Sequence, residues 1–216
     1  EGPTVFWRHN PIGAGRTSLR EFNDNDVQSW KHQTRRTVLW EADGKEACVA
    51  IAANDSLSFM VNGKSDGNAS VDMGTQVILG LVGAVLHPDP QDCLVVGLGT
   101  GESAGWAAAC SKVKRADVVE SEPVVTEMAR RCAPVNNNVL ENPKIRLIYN
   151  DAREVLLTTP QKYDVIISEP SNLYRVGVPN LYTREFYQAV RGKLKPGGVF
   201  VQWLQTYEAD PNAIRT

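Results

Sequence analysis

The chain has 216 residues, of which 42% are hydrophobic and 22% charged, so it is long enough for one ordinary domain with a buried core. This composition argues against a disordered chain, a collagen-like repeat or a coiled coil. The formal net charge is −2, which lacks the strongly basic balance of a nucleic-acid-binding protein. Because no apolar run approaches the roughly 18–20 residues needed to cross a bilayer, we expect a soluble, cytoplasmic domain.

The cysteines and histidines are spread along the chain without a C-x-x-C pair or metal-ligand spacing. They are Cys48, Cys93, Cys110, Cys132, His9, His32 and His87. This pattern predicts reduced thiols rather than a disulfide framework, and no metal site. The chain begins Glu1-Gly2-Pro3, with neither an initiator Met nor a signal peptide, so we expect a processed chain or an excerpt of a longer protein.

Residues 1–70 are expected to form an N-terminal β meander after an irregular lead-in. Residues 1–35 are polar and give no clear periodicity, so we expect them to be irregular or partly ordered. Short β-prone runs follow at 37–40, 47–53 and 57–61. Hairpin-turn signals punctuate them at 43–44, 54–55 and 62–63, which favours a small antiparallel sheet.

Residues 71–216 are expected to form an α/β domain that begins with a helix. Apolar residues recur at helical spacing between Met73 and Val85, with Ser70 or Asp72 available as the cap. Uniformly apolar runs then alternate with helical stretches. The runs lie at 93–96, 118–119, 145–148, 165–167 and 199–201, and the helices at 102–109, 124–131, 152–157 and 183–194. This alternation predicts a parallel sheet covered on both faces. Five strands precede Thr216, so we expect the domain to be truncated at its C-terminus.

A glycine-rich loop follows the first of these strands and points to a nucleoside site. Gly97, Gly99 and Gly101 permit a tight turn and let a ligand approach bare backbone at the start of a helix. Glu120 ends the next strand, where an acid accepts hydrogen bonds from ribose hydroxyls. Asp151 follows the third strand, where it either reaches an adenine edge or caps the next helix. All lie at carboxyl ends of consecutive strands, where open α/β sheets bind ligands.

Residue 102 indicates which nucleoside this loop takes. A dinucleotide-binding loop usually reads G-x-G-x-x-G, whereas position 102 is Glu. Its negative charge stands where a pyrophosphate would lie against the helix N-terminus. A sulfonium nucleoside has no phosphate, so we expect S-adenosylmethionine or a relative of it.

Several motifs together resemble the spermidine synthase family over about residues 37 to 205. They are V-N-G-K at 61–64, L-H-P-D-P at 86–90, N-D-A at 150–152, Y-D-V-I-I at 163–167 and L-Y-T-R-E-F-Y at 181–187. The chain most resembles a spermidine-synthase-like branch with I-S-E-P-S-N after the fourth strand, here 167–172, and Q-W-L-Q after the fifth, here 202–205. The resemblance implies a Rossmann-like, S-adenosylmethionine-dependent methyltransferase fold.

The resemblance also implies an activity and partners. Spermidine synthases transfer an aminopropyl group from decarboxylated S-adenosylmethionine to an amine and release methylthioadenosine, without a metal. Family members often pair as homodimers. Some members of this branch are fused to membrane-transporter-like segments, which would lie outside this chain.

The resemblance implies roles for particular residues. The implied nucleoside-binding residues are Gln76, Gly97, Gly99, Thr100, Gly101, Glu120, Asp151 and Ala152. Glu169 stands at the position of the family's catalytic Asp, and it either acts as a base or is a solvated turn residue. The implied substrate-binding residues are Asn172, Tyr174 and Tyr207, and Trp203 either lines the same pocket or packs in the core.

Three family positions carry other residues here. Thr100 replaces an Asp that grips the ammonium of the donor, Asn172 replaces an acceptor-binding Asp, and Thr75 replaces a Tyr. Three functions therefore remain open. They are an aminopropyltransferase with an uncertain amine acceptor, an S-adenosylmethionine-dependent methyltransferase, and a non-catalytic nucleoside- or polyamine-binding module of a larger membrane protein.

Overall fold

The described part of the chain forms two β-sheets, one antiparallel and one parallel. The computed structural model describes Val5, Arg8, His9 and residues 21–53, 56–173 and 175–205. The turn predicted at 54–55 lies outside these residues. Within them, no helix is both long and apolar enough to span a bilayer.

The antiparallel sheet has four strands in chain order and follows a helix. These elements are α1 (Asp24–Thr37), β1 (Val38–Asp43), β2 (Cys48–Ala53), β3 (Leu57–Val61) and β4 (Lys64–Asn68). The three predicted β runs correspond to β1, β2 and β3. The sequence did not predict β4, because its five residues are mostly polar or glycine. Asn62 and Gly63 both have positive φ between β3 and β4, which is the backbone of a two-residue hairpin turn.

The helix α1 corrects the expectation of an irregular lead-in over residues 1–35, because residues 24 to 35 are helical. The side chain of Asn23 accepts hydrogen bonds from the backbone N–H groups of Asn25 and Asp26 at 2.9 and 3.0 Å. The Asp26 carboxylate in turn accepts the N–H of Asn23 at 3.1 Å, which completes a capping box. No residue of α1 is buried, so a search for apolar periodicity misses this helix.

The helix α2 (Met73–Leu86) connects the two sheets. Of the two predicted cap residues, Asp72 occupies the N-cap position, but its side chain makes no capping hydrogen bond with the described residues. Instead, Oδ1 of Asn68 accepts the backbone N–H groups of Ser70 and Val71 at 2.9 and 2.8 Å. The turn before α2 is therefore held from the end of β4.

The second sheet is parallel, as predicted, and alternates with helices. Its elements are β5 (Asp92–Val96), α3 (Glu102–Ala109), β6 (Arg115–Glu120), α4 (Thr126–Arg131), β7 (Ile145–Tyr149), α5 (Ala152–Thr158), β8 (Tyr163–Ser168), α6 (Arg184–Lys193) and β9 (Leu194–Gln202). Short 3₁₀ turns precede α4 and α6. The strand order is β7-β6-β5-β8-β9. After β5 the chain adds β6 and β7 on one side, and it then returns to add β8 and β9 on the other side of β5. Ligands of open α/β sheets bind at such a switch point.

Apolar side chains cover both faces of the parallel sheet. One cluster includes Val95 and Ile167 and extends to Ile51 of the antiparallel sheet, so the two sheets share a core. The other cluster, on the opposite face, includes Leu94 and Ile166 and packs against α5 and α6. Alternate residues of each central strand thus point to opposite faces and pack in one of the two clusters. Polar residues that could bind a ligand are therefore expected at the carboxyl ends of the strands, where the sheet is not covered.

Candidate active site

The glycine-rich loop 97–101 connects β5 to α3 in a left-handed backbone. Gly97, Gly99 and Gly101 have φ values of 97°, 51° and 82°, a region that residues with a Cβ rarely adopt. A Cβ on Gly97 would lie 2.7 Å from the backbone oxygen of Glu169. The loop is therefore pressed against the segment that follows β8, as the sequence predicted from adjacent strand ends.

The carboxylate of Glu120, at the end of β6, holds this loop in place. Its Oε2 accepts the N–H of Leu98 at 2.9 Å, and its Oε1 accepts the N–H of Glu122 at 2.9 Å. Burial raises the pKa of Glu120, and these backbone hydrogen bonds oppose the rise. Each carboxylate oxygen has a second lone pair, so the group retains the capacity to accept a ribose hydroxyl.

Asp151 follows β7 and caps α5. Its Oδ1 accepts the backbone N–H of Arg153 at 2.8 Å, and the Arg153 guanidinium pairs with the same carboxylate at 2.5 Å. The Arg153 side chain lowers the pKa of Asp151, so this carboxylate is ionised at neutral pH. Asn150, the preceding residue, donates its N–H to the backbone oxygen of Glu120 at 3.1 Å. Asp151 thus acts as the helix cap that the sequence allowed, next to the end of β6, and Ala152 is buried at the start of α5.

Gln76 of α2 and Thr100 of the glycine-rich loop contact each other. The Thr100 hydroxyl donates to Oε1 of Gln76, and both residues are buried. A Cβ on Gly67 of β4 would lie 3.2 Å from Nε2 of Gln76. The antiparallel sheet therefore approaches the loop closely through β4.

Glu169 lies directly after β8. Its backbone oxygen is close to the glycine-rich loop, and its carboxyl contacts α3. The hydroxyl of Ser103 in α3 hydrogen-bonds its Oε2, and the same hydroxyl lies 3.0 Å from the backbone oxygen of Gln76. Burial raises the pKa of Glu169 to about 7, and the negative charge of Asp72 adds to the rise. A carboxyl that changes its charge near neutral pH can accept and release a proton there.

Glu102, the first residue of α3, is a fully buried carboxyl. Neither of its carboxylate oxygens has a hydrogen-bond partner among the described residues. Burial raises its pKa to about 7, and the charges of Glu169 and Asp72 add to this. Since Glu102 is an uncharged acid below that pH, its effect on a pyrophosphate is weaker than the sequence implied.

Asp66 of β4 anchors the segment that follows Glu169. Its carboxylate accepts hydrogen bonds from the Ser171 hydroxyl at 2.6 Å and from Nδ2 of Asn172 at 3.0 Å, and it pairs with Arg175 at 2.7 Å. Burial raises the pKa of Asp66, and the Arg175 charge opposes the rise. The Asn172 amide thus contacts the protein, and its predicted substrate contact stays a prediction. Sequence reasoning missed Asp66 because it missed β4.

The two predicted tyrosines of the substrate pocket, Tyr174 and Tyr207, lie outside the described residues. Trp203 follows β9 and is half-buried. Its backbone N–H donates to the oxygen of Ser168 at 2.8 Å, and its own oxygen accepts the Tyr182 hydroxyl at 3.0 Å. The backbone of Trp203 is therefore fixed beside the end of β8. Across the described ranges, no group of three acidic, His or Cys side chains has the geometry to hold a metal ion.

Several proteins of known name are similar to this chain in sequence. The family model described as the spermine/spermidine synthase domain matches residues 73–214. Polyamine aminopropyltransferase 2 of Pseudomonas aeruginosa is 26% identical over 210 residues, covering 95% of this chain and 60% of that protein. The polyamine aminopropyltransferase of Nitrosomonas europaea is 33% identical over 124 residues, covering 57% of this chain and 38% of that protein. The chain thus spans at most about 60% of the length of these relatives.

Solved structures with the same fold agree with the sequence matches. A spermidine synthase in complex with the transition state analogue AdoDATO superposes with a TM-score of 0.71 and 24% identity, covering 77% of this chain and 57% of that chain. The spermidine synthase of Thermotoga maritima gives a TM-score of 0.69 at 24% identity, covering 77% and 56%. These likenesses confirm the predicted Rossmann-like methyltransferase fold. The family model covers well over half of the chain, which therefore belongs to the spermine/spermidine synthase family.

Proposed function

We propose that this chain transfers an aminopropyl group from decarboxylated S-adenosylmethionine to an amine acceptor and releases methylthioadenosine. Relatives named polyamine aminopropyltransferase support this reaction class. A spermidine synthase of the same fold that holds AdoDATO supports a nucleoside donor. The observation in this chain that carries the proposal is the Glu169 carboxyl, whose pKa is about 7 and which hydrogen-bonds Ser103, two residues after the glycine-rich loop.

The reaction needs a proton acceptor at this position. The neutral amine nitrogen attacks the methylene carbon beside the sulfonium, so a C–N bond forms as the C–S bond breaks. The electron pair of the broken bond stays on sulfur, which becomes a thioether. The ammonium formed at the acceptor nitrogen then loses a proton, which Glu169 takes up. A pKa of about 7 leaves a large fraction of Glu169 ionised at neutral pH and ready to accept that proton.

The donor occupies the carboxyl ends of β5, β6 and β7 in this proposal. The glycine-rich loop, with Gly97, Gly99, Thr100 and Gly101, presents backbone to the nucleoside. Glu120 accepts hydrogen bonds from the ribose hydroxyls, and Gln76 contacts the nucleoside from α2. The adenine lies beside Asp151 and Ala152, where Asp151 retains its capping bond to α5.

The acceptor amine lies beside Glu169 and the segment after it, with Asn172, Tyr174 and Tyr207 as its contacts. Thr100 and Asn172 are neutral at two positions where the family has carboxylates. Each missing charge-assisted hydrogen bond is worth about 1.5–3 kcal/mol, so we expect putrescine, a dication, to be a poor acceptor. The acceptor is therefore an amine with fewer positive charges near the reacting nitrogen.

We also propose how the chain is organised and where it acts. The division at residue 70 into a meander unit (1–70) and a nucleoside-binding unit (71–216) is supported by the gap between β4 and α2. Cytoplasmic location is supported by four free cysteines, since an oxidising compartment favours disulfides. Pairing as a homodimer and fusion to a membrane segment outside this chain rest on the family resemblance.

Calorimetry of the chain with three nucleosides tests the donor assignment. Decarboxylated S-adenosylmethionine, intact S-adenosylmethionine and methylthioadenosine are titrated in parallel. Tighter binding of the decarboxylated donor is the expected result. Tighter binding of intact S-adenosylmethionine would move the assignment to methyl transfer, which the loss of a loop carboxylate at Thr100 favours. Binding of none of the three contradicts the proposed site.

Product formation tests the reaction itself. The chain is incubated with decarboxylated S-adenosylmethionine and a panel of mono- and diamines, and methylthioadenosine release is followed by chromatography. Glu169→Gln should lower kcat by about 100-fold or more, because general-base contributions are of that size. The matched control is Glu141→Gln, which alters an exposed carboxyl without a role in the proposed site and should retain full activity. Nucleoside binding without release of methylthioadenosine would leave the non-catalytic module as the better assignment.

A further inference from the structure

Ser103 stands between two hydrogen-bond acceptors of the candidate site. Its hydroxyl contacts Oε2 of Glu169 and lies 3.0 Å from the backbone oxygen of Gln76. The side chain is almost completely buried, with 4% of its residue surface exposed. It therefore connects the segment after β8 to α2 through the first turn of α3.

The hydroxyl carries one hydrogen, which limits the arrangements that satisfy both contacts. A backbone oxygen accepts hydrogen bonds and never donates them. When Glu169 is ionised, the Ser103 hydrogen points to the Glu169 carboxylate. When Glu169 is protonated, its own O–H donates to Ser103 Oγ, and the Ser103 hydrogen turns to the oxygen of Gln76. Both protonation states of Glu169 thus have a hydrogen bond to Ser103 with the carboxyl in the same position.

We propose that Ser103 is the positioning residue of the reaction, which holds the Glu169 carboxyl in one place before and after it accepts the proton from the acceptor amine. This inference rests on the proposed aminopropyl transfer. Glu has one methylene more than Asp, so its carboxyl has an additional rotatable bond to fix. Ser103 removes that freedom, and an error of about 1 Å in the position of a reacting group costs on the order of 100-fold in rate.

The charged groups near Glu169 change its pKa and therefore the pH dependence of the proposed reaction. Among the described residues, Asp72 at the start of α2 and Glu102 at the start of α3 carry the charges that interact with this carboxyl. The Ser103 hydrogen bond lowers the pKa of Glu169, whereas burial and the Asp72 charge raise it. Removing the hydroxyl therefore raises that pKa, and the acidic limb of the pH profile moves to higher pH.

The test compares Ser103→Ala with Ser168→Ala. Ser168 is a buried neighbour of Glu169 whose hydroxyl has no hydrogen-bond partner in the described part of the chain, so the control removes the same atom from the same region. Ser103→Ala should lower kcat about tenfold, leave KM for the donor nearly unchanged, and move the acidic limb up by about half a unit to one unit. Ser103→Thr keeps the hydroxyl and should restore most of the activity. Ser168→Ala should match the wild type in all three measurements.

A carboxyl titration separates this inference from the proposed function. Carbon-13 NMR of glutamate-labelled chain, assigned with Glu169→Gln, follows the Glu169 carboxyl in wild type and Ser103→Ala whether or not the chain turns over. A higher pKa in Ser103→Ala supports the contact, and an unchanged pKa and pH profile overturn the role of Ser103. Absence of methylthioadenosine release by the wild type would instead overturn the proposed reaction, while the titration still decides whether Ser103 holds the carboxyl.

Discussion

Glu122, just after β6, binds the turn between β1 and β2 at Gly44. Its carboxylate accepts the backbone N–H groups of Lys45 and Glu46, each at 2.8 Å. A Cβ on Gly44 would lie 1.6 Å from Oε2 of Glu122 and 3.0 Å from the backbone oxygen of Ala47. One carboxylate just after the parallel sheet thus accepts hydrogen bonds from two backbone N–H groups in a turn of the antiparallel sheet. Because Gly44 has no side chain, the carboxylate can come this close to the turn.

Gly44→Ala should destabilise the chain. The added methyl group displaces the Glu122 carboxylate and breaks one or both of its hydrogen bonds to the turn, at a cost of about 1–3 kcal/mol. Urea unfolding followed by circular dichroism measures the change. Gly192→Ala is the control, since the position lies in α6 with open space around it and alanine favours a helix. A Gly44→Ala variant as stable as Gly192→Ala would contradict the close approach.

Glu102 should make the stability of the chain fall as pH rises. Its pKa is about 7 in the folded chain and about 4.5 in the unfolded chain, so between these values the folded state binds more protons. Stability is highest below about pH 4.5 on this account and declines through pH 7, by on the order of 2 kcal/mol from this residue. Glu169 shifts in the same direction.

The contribution of Glu102 is isolated by comparing variants. The Glu102→Gln side chain has no proton to release and stays uncharged, so the free energy of unfolding of this variant should fall less between pH 5 and pH 8 than that of the wild type. Glu102→Leu removes the unpartnered polar oxygens as well and should be more stable than the wild type at pH 8. Equal pH dependence in wild type and Glu102→Gln would rule out the raised pKa of Glu102.

The sequence predicted the parallel sheet well because its central strands β5, β6 and β8 are mostly buried and each contains a continuous apolar run. It also predicted the tight turn at 97–101, because glycines permit such a turn, and it placed Glu120 at the end of its strand. It missed α1 and β4 because both are mostly polar and therefore lack an apolar pattern. Particular contacts stabilise them instead, such as the Asn23 capping box of α1.

The parts of the site that the sequence missed depend on contacts between distant residues. Asp66 meets Arg175 across 109 positions of chain, and Ser103 meets Glu169 across 66. No local pattern marks such a pair before the fold is known. At Asn172, where a family position suggests a ligand contact, the structure shows that the amide also hydrogen-bonds Asp66, and the ligand contact stays a prediction. Asp66, the partner of that amide, lies on β4, which the sequence did not predict.

Asp66→Asn should loosen the segment after Glu169. Both partners of the Asp66–Arg175 pair are largely buried, and removing one charge leaves the other unpaired, at a cost of about 3–5 kcal/mol. Amide hydrogen exchange of residues 171–173 should rise, and the urea midpoint should fall. Asp89→Asn, at an exposed carboxylate before β5, is the control and should leave both measurements unchanged. Unaltered exchange in Asp66→Asn would show that Asp66 does not hold the segment.

Glu120→Ala should weaken nucleoside binding more than it weakens the fold. It removes the acceptor for the Leu98 N–H in the glycine-rich loop and the proposed acceptor of the ribose hydroxyls. Binding of methylthioadenosine measured by calorimetry should weaken by about 10- to 100-fold, as expected for the loss of one or two hydrogen bonds to a charged group. Glu154→Ala removes an exposed carboxylate of α5 and serves as the comparison. Equal affinities of the two variants would exclude Glu120 from the nucleoside site.

The Asp66 anchor makes the meander a structural part of the proposed catalytic site. Ser171, Asn172 and Arg175 all hydrogen-bond a carboxylate that belongs to β4. A chimera that kept the parallel sheet but took its antiparallel sheet from a relative without an acid at this place would retain the glycine-rich loop and Glu120. Ser171, Asn172 and Arg175, on the side where we propose that the acceptor amine binds, would lose the carboxylate that holds them. Such a hybrid should still retain nucleosides on a column while turning over poorly, and restoring a single aspartate on the grafted strand should recover turnover.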